Sequence, residues 1–306
     1  MLHNWVERAD QLFIASFKTV FFVIGIFGNS CFIFLVCRNK QLRSKSSYLQ
    51  SIQCFFHIIC LLGTMVDVGL AIPDIQLGRT SCFHVMVPFV FFEAAQAVIM
   101  LELVIDVYII VKMPGFYKTV KTWIYLLAAL IAPSIVGIIF SIWGFTYLDD
   151  EEIYFCNPTS SLHTTASKNY TRCIVIINSL TLIIFAILIL IFYKKSQNKN
   201  PDSTKVMKRL QFSVVIFLCS WYITIFTYYV CLAAGLEGEE LHFVINNMTF
   251  FICLAYSQTF YVILYKSNEY KNAFNNLLGI KQKPKDLRKN TSTTCIGASQ
   301  KPTIIF

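Results

Sequence analysis

The chain has 306 residues, 56% of them hydrophobic and only 14% charged, with a formal net charge of +9. Ordinary soluble domains carry nearly twice that charged fraction, so a water-soluble globular protein is excluded. The basic residues are dispersed through loops, so the positive charge is no nucleic-acid signature.

Residues 1–11 are polar and include Glu7 and Asp10. They lack a basic n-region and an A-x-A pattern, so no removable signal peptide is expected, and the first span serves as its own insertion signal. Apolar runs nearly free of charge then fall at 12–37, 48–72, 82–111, 123–145, 173–193, 210–234 and 243–265. Each suffices to cross a bilayer, which takes about 20 residues. Near-continuous apolarity over such lengths predicts helices, because barrel strands alternate and run about 10 residues. The expected fold is an all-α membrane protein, a seven-transmembrane-helix bundle occupying 12–266 as one domain.

Loop charge orients it. Arg38, Lys40, Arg43 and Lys45 follow span one, Lys112, Lys118 and Lys121 follow span three, and six bases lie in 194–209. The loops after spans four and six instead carry Asp149, Asp150, Glu151 and Glu152, and Glu237, Glu239 and Glu240. Positive-inside topology then places residues 1–11 outside and the tail inside, which requires an odd number of spans. Beyond span seven, Tyr270, Phe274, Leu277 and Leu278 have amphipathic spacing, with Ser267 available as a cap and Gly279 as a stop. An interfacial helix is expected over 267–280, followed by a disordered basic cytoplasmic tail over 281–306.

Of eleven cysteines, Cys82 and Cys156 lie on the oxidising side, where either a disulfide tying the long outer loop over the bundle or two free thiols can be expected. The sequon at Asn169 also faces outward but abuts span five. Cys54, His57 and Cys60 recur at intervals of three on span two, and no other mid-span His joins them, so a core histidine is expected and no metal. Ionisable residues within spans carry a functional expectation. Lys18 is placed to snorkel, Asp67 and Glu93 to line an outward pocket, and Glu102 and Asp106 lie one turn apart near the inner end of span three. Pro133 is read as the one mid-span proline, and no paired repeats argue for a transporter. No phosphate loop, H-E-x-x-H motif or Ser/His/Asp set is present, so neither an enzyme nor a cofactor is expected.

Several motifs, in order, carry a resemblance. Gly28-Asn29 lies in span one, and Leu42-Arg43-Ser44-Lys45 precedes Cys54-x-x-His57-x-x-Cys60 in span two. Phe217-x-x-x-Trp221 lies in span six, and Ser257-Gln258-x-x-Tyr261 precedes Ser267-Asn268-Glu269-Tyr270. Together they resemble rhodopsin-like G-protein-coupled receptors, and more closely the nematode serpentine chemoreceptors of class Srsx, over about residues 12–280. The resemblance implies a plasma-membrane receptor, extending to sensory cilia, with an external small-molecule or peptide ligand and a heterotrimeric G protein as partners. It implies a ligand pocket at Phe89, Phe92, Glu93, Gln96, Trp221 and Tyr228, with a biogenic amine disfavoured because Phe89 stands where amine receptors use an acid. It pairs Cys82 with Cys156, and it assigns an inner activation face to Asp106, Val107, Tyr108 and Tyr261. The core polar positions are Asn29, His57 and Ser257, the last two standing where typical receptors hold sodium. Val107 replaces the family's arginine, which raises the alternative of a ligand-binding receptor that does not couple; a second alternative, from the intramembrane acids Glu93, Glu102 and Asp106, is a seven-helix transporter or channel.

Overall fold

The computed structural model describes residues 2–195 except 74, 76, 154 and 155, scattered positions between 215 and 235, and 238–280. The helices are α1 (Leu2–Arg38), α2 (Lys45–Ala71), α3 (Arg79–Lys112), α4 (Pro114–Thr119), α5 (Thr122–Thr146), α6 (Thr164–Lys195), α7 (Gly238–Ser257), α8 (Thr259–Lys266) and α9 (Asn268–Leu277). Among the described residues, α1, α2, α3, α5 and α6 are each long and apolar enough to cross a membrane. Helices α7 and α8 together make a further crossing, bent by 47° at its break. Most of expected span six lies outside the described residues; the positions described between 215 and 231 are helical.

Helix α3 is the axis of the bundle and packs against α2, α5 and α6. Ala94, Ala95 and Ala97 are fully buried along it. Small side chains let neighbouring helices approach closely where lipid supplies no hydrophobic drive for association. Helix α5, by contrast, presents Trp123, Leu127, Ile131, Ile135, Ile138 and Ile142 outward. An apolar face of that size is untenable in water but carries no cost against acyl chains. Helix α1 packs on α2, α7 and α8. Gly28 makes the last contact possible, because a Cβ there would lie 2.9 Å from the Tyr261 ring.

Local chemistry explains the ends. Ser44 Oγ accepts the Ser47 backbone N–H at 3.1 Å and caps α2. Pro114 opens α4, where its missing N–H costs nothing. Gly279, at φ +71°, ends the turn after α9. Ser267 sits at the N-cap of α9 in an extended conformation, but its side chain makes no capping bond.

The structure departs from the linear reading in four places. Residues 2–11, expected as a separate polar segment, continue α1. Helix α6 starts at Thr164 rather than 173, because Ala166, Tyr170 and Ile174 recur every four residues and all face the core. Span seven is two helices: Ser257 Oγ bonds back to the Cys253 carbonyl at 2.8 Å, a pattern that bends helices. Pro88 lies inside α3, so Pro133 is not the only proline within a span.

At one end of the bundle a staple forms. Cys82 at the start of α3 is bonded to Cys156, 74 residues away. Beside it β1 (Leu77–Gly78) pairs antiparallel with β2 (Glu152–Ile153), Leu77 facing Ile153 and Gly78 facing Glu152. The buried Arg79 guanidinium holds Asp149 and, at 2.7 Å, Glu151. This end is called the disulfide end below, and the opposite one the α9 end.

Closing a loop of this length stabilises a freely unfolding chain by about 4 kcal/mol. Lipid already confines the unfolded state, so the double variant Cys82→Ser/Cys156→Ser is expected to lose less than that. Its thermal midpoint in nanodiscs should fall by several degrees while membrane insertion, measured by fractionation, is unchanged.

Candidate functional site

Four polar groupings occupy the interior, and α3 carries residues of three. In the disulfide half, Glu93 is flanked by Tyr170 of α6, Tyr256 of α7 and Cys60 of α2, all within electrostatic range of its carboxyl. The Tyr170 hydroxyl approaches that carboxyl, yet neither it nor the Tyr256 hydroxyl completes a hydrogen bond. Both tyrosines are buried, whereas Glu93 keeps partial accessibility. Phe92 packs against Cys60, Leu61 and Tyr256 and stacks edge-on with Phe55, Phe56 and Phe91. Phe89 lies against Gly63 of α2, beside the disulfide cluster. The structure therefore brings Glu93 and Phe92 to one place and Phe89 nearer the staple. Trp221 and Tyr228 lie outside the described residues.

Deeper in, His57 joins three spans. Gln96 Nε2 donates to His57 Nε2 at 3.0 Å, which places the imidazole proton on Nδ1, 3.5 Å from Thr259 Oγ1 just past the break in span seven. Gln96, expected beside the ligand, is fully buried and turned to this histidine. Ser257, the other core polar position expected in span seven, bonds the Cys253 and Leu254 carbonyls of its own helix. Asn29 ties α1 to α7 by donating to the Tyr256 carbonyl at 3.0 Å. With both ring nitrogens of His57 so directed, Cys54 and Cys60 gain no ligand from it, and no group suited to a metal occurs among the described residues.

The third grouping went unrecognised in the linear reading. Lys18 of α1 does not snorkel: it is 2% exposed and ion-paired to Asp67 of α2, with Asn246 Oδ1 of α7 at 3.3 Å. A cavity of about 20 Å³ adjoins them, room for one water. Lysine and aspartate separated by 49 positions give no linear pattern, so only packing could reveal the pair.

At the α9 end, Asp106 is fully buried and accepts the Tyr125 hydroxyl at 2.7 Å. Ser46 and Tyr117 lie beside the carboxylate, although Asp106 Oδ2 and the Tyr117 hydroxyl do not complete a bond. Burial and then the Asp106 carboxylate hold the Tyr117 phenol above its ordinary range, so it stays a protonated donor. Lys45 Nζ donates to the Tyr117 carbonyl and lies 4.6 Å and 5.6 Å from the centres of the Tyr117 and Tyr125 rings. It acts on Asp106 through space, without an ion-pair contact among the described residues. Tyr270 of α9 joins this end to α2 through Ser47 Oγ at 2.9 Å. Val107 is 1% exposed in the main core, and Tyr108 packs beside it. Tyr261 is not part of this grouping: its hydroxyl donates to the Ile24 carbonyl at 3.0 Å, on the seam with α1. Asn169 lies half-buried in the second turn of α6.

A family model described as serpentine type 7TM GPCR chemoreceptor Srsx matches residues 22–278. No curated protein matches the chain.

Two stability measurements check these groupings. Lys18→Met leaves Asp67 buried and unpaired and is expected to cost about 3–5 kcal/mol, whereas Lys18→Met/Asp67→Leu recovers most of the loss. Tyr125→Phe removes the one completed bond to Asp106 and is expected to cost about 1.5–3 kcal/mol. Thermal unfolding in nanodiscs reads both.

Proposed function

Because the chain belongs to the serpentine seven-transmembrane GPCR chemoreceptor family Srsx, we propose that this multi-pass membrane receptor takes an external ligand at Glu93 and signals through a heterotrimeric G protein at its α9 end. The family is one of receptors, not of enzymes. The disulfide end is then outside, the basic loops and the 281–306 tail face the cytoplasm, and the location is the plasma membrane, including that of sensory cilia. Loop charge supports this orientation.

The observation that carries the reading is the placement of two polar sites on one buried helix. Glu93 and Asp106 are thirteen residues apart in α3, about 20 Å along its axis. A ligand that shifts α3 at the first site displaces the second, and packed interiors transmit such shifts as discrete rearrangements. The Glu93 end is an interior position bordered by α2, α3, α6 and α7, and the Asp106 end adjoins loops. Phe89, Phe92 and Gln96, with Trp221 and Tyr228 from span six, belong to the proposed ligand surroundings, Gln96 as their floor toward His57.

Coupling does not use the usual arginine. Val107 has no donor and is packed in the core. Lys45 supplies the cation instead, reaching across from α2 to hold α4 against Asp106 and Tyr125. In this reading the inactive state is held by Lys45, and activation frees it.

Agonist-promoted nucleotide exchange on a G protein by the receptor in nanodiscs tests the proposal; ligand-independent solute or ion flux in liposomes would point to a transporter instead. Lys45→Met is expected to raise agonist-independent exchange several-fold, whereas Lys45→Arg stays near the native level. Equal basal exchange in all three proteins would remove Lys45 from the switch.

A further inference from the structure

We infer that the ligand held at Glu93 is a small organic cation, an ammonium carried on a short apolar body, answered by an acid one helical turn along α3 from Phe89 and not by an acid at Phe89 itself. This deepens the receptor reading above and rests on it. The reason is charge balance within the seven expected spans. They contain four carboxylates, Asp67, Glu93, Glu102 and Asp106, against a single Lys or Arg, which is Lys18.

Each base near the interior is already committed. Lys18 is ion-paired with Asp67 and bonded to Asn246. Lys45, at the start of α2, lies over Tyr117 and Tyr125 and acts on Asp106. His57 directs both nitrogens to Gln96 and Thr259. Arg79 holds Asp149 and Glu151 at the staple. Spans four, six and seven contain no Lys or Arg, and Lys168 and Arg172, drawn into the start of α6, are both exposed. Among the described residues no protein cation is therefore left for Glu93. Glu102 likewise has no base against it, but it is half-buried beside Tyr125, whose hydroxyl is already committed to Asp106, and not between uncommitted hydroxyls.

The surroundings of Glu93 suit a cation and no other charge. An anionic ligand would meet a carboxylate with no base nearby, a repulsion that a low-dielectric interior strengthens. An ammonium would answer the carboxylate among the aromatic side chains of Tyr170, Tyr256 and Phe92, whose π systems attract a cation. The buried Tyr170 and Tyr256 hydroxyls, which approach Glu93 and the Cys60 thiol without completing a bond, supply oxygens that accept from its N–H groups. A half-buried carboxylate without a cation still carries a desolvation cost, and functional sites retain such costs where a ligand removes them.

Benzylammonium and benzyl alcohol are matched in shape and differ in charge, so they serve as probes of the purified receptor in nanodiscs, with no G protein present. Thermal midpoint and equilibrium binding are measured on the native protein, Glu93→Gln and Glu93→Asp. Benzylammonium is expected to stabilise the native protein and Glu93→Asp, and to bind Glu93→Gln at least tenfold more weakly. Benzyl alcohol should act alike on all three, reporting lipid partition only. Without probe, Glu93→Gln should melt no lower than the native protein, because it removes an unanswered charge.

The inference is overturned if the two probes act equally, if benzylammonium stabilises Glu93→Gln as well as the native protein, or if it stabilises neither. It is likewise overturned if Glu93→Gln melts well below the native protein, since the carboxylate would then be a structural acceptor. These outcomes bear on the ligand and its place at Glu93; coupling to a G protein stands or falls separately, on nucleotide exchange.

Discussion

Hydrocarbon solvates neither a peptide group nor a charge, and both halves of that constraint shape this protein. Each crossing segment satisfies its backbone internally and is therefore helical. Each ionisable side chain between the crossings needs an answer from a neighbour, because water is not there to give one. The Lys18–Asp67 pair is answered within the chain, bridging α1 and α2 with Asn246 of α7 beside it. Asp106 is answered by Tyr125 and the field of Lys45. Among the described residues, Glu93 is met by phenols and a thiol. The groups that are answered hold helices together, and Glu93, set between two uncommitted hydroxyls, marks a place where something else can bind.

Helix α3 links these sites because it is the most enclosed element. Its run of alanines keeps α2, α5 and α6 close, so movement along it cannot be absorbed by slack around it. Between the Glu93 and Asp106 ends, the His57–Gln96–Thr259 chain connects α3 to the break in span seven. A hydrogen-bonded histidine beside a bend of 47° gives that crossing a mechanical joint tied to the same axis. The staple at the disulfide end fixes the other terminus of α3 through Cys82 and Arg79.

How far the linear pattern could be read depended on the range of the interaction. Span existence depends on local apolarity, so the segments later seen as α1, α2, α3, α5 and α6 were legible. The extra turns of α6 were not, because Thr164–Arg172 is polar in composition and is drawn into the helix by Ala166 and Tyr170 facing the core. That misreading hid Tyr170, which was taken for a loop residue and lies beside Glu93. Lys18 was misread for a related reason. A lone lysine near a span end ordinarily snorkels, and only the packing of α1 on α2 brings Asp67 within reach. Gln96 and Tyr261 were assigned by helix phase and analogy; their partners on other helices decide which way each turns.

The sequence by itself determined the all-helical membrane class and the absence of an arginine at Val107, because these depend on composition and short-range order. Tertiary structure alone decided which charge meets which partner: Lys18 is consumed by Asp67, Lys45 takes up the field of Asp106, and Glu93 is left with tyrosines. Those outcomes depend on helix rotation and depth, which bring together residues dozens to hundreds of positions apart. No linear pattern encodes that proximity, and in a medium without water it settles the state of every charge.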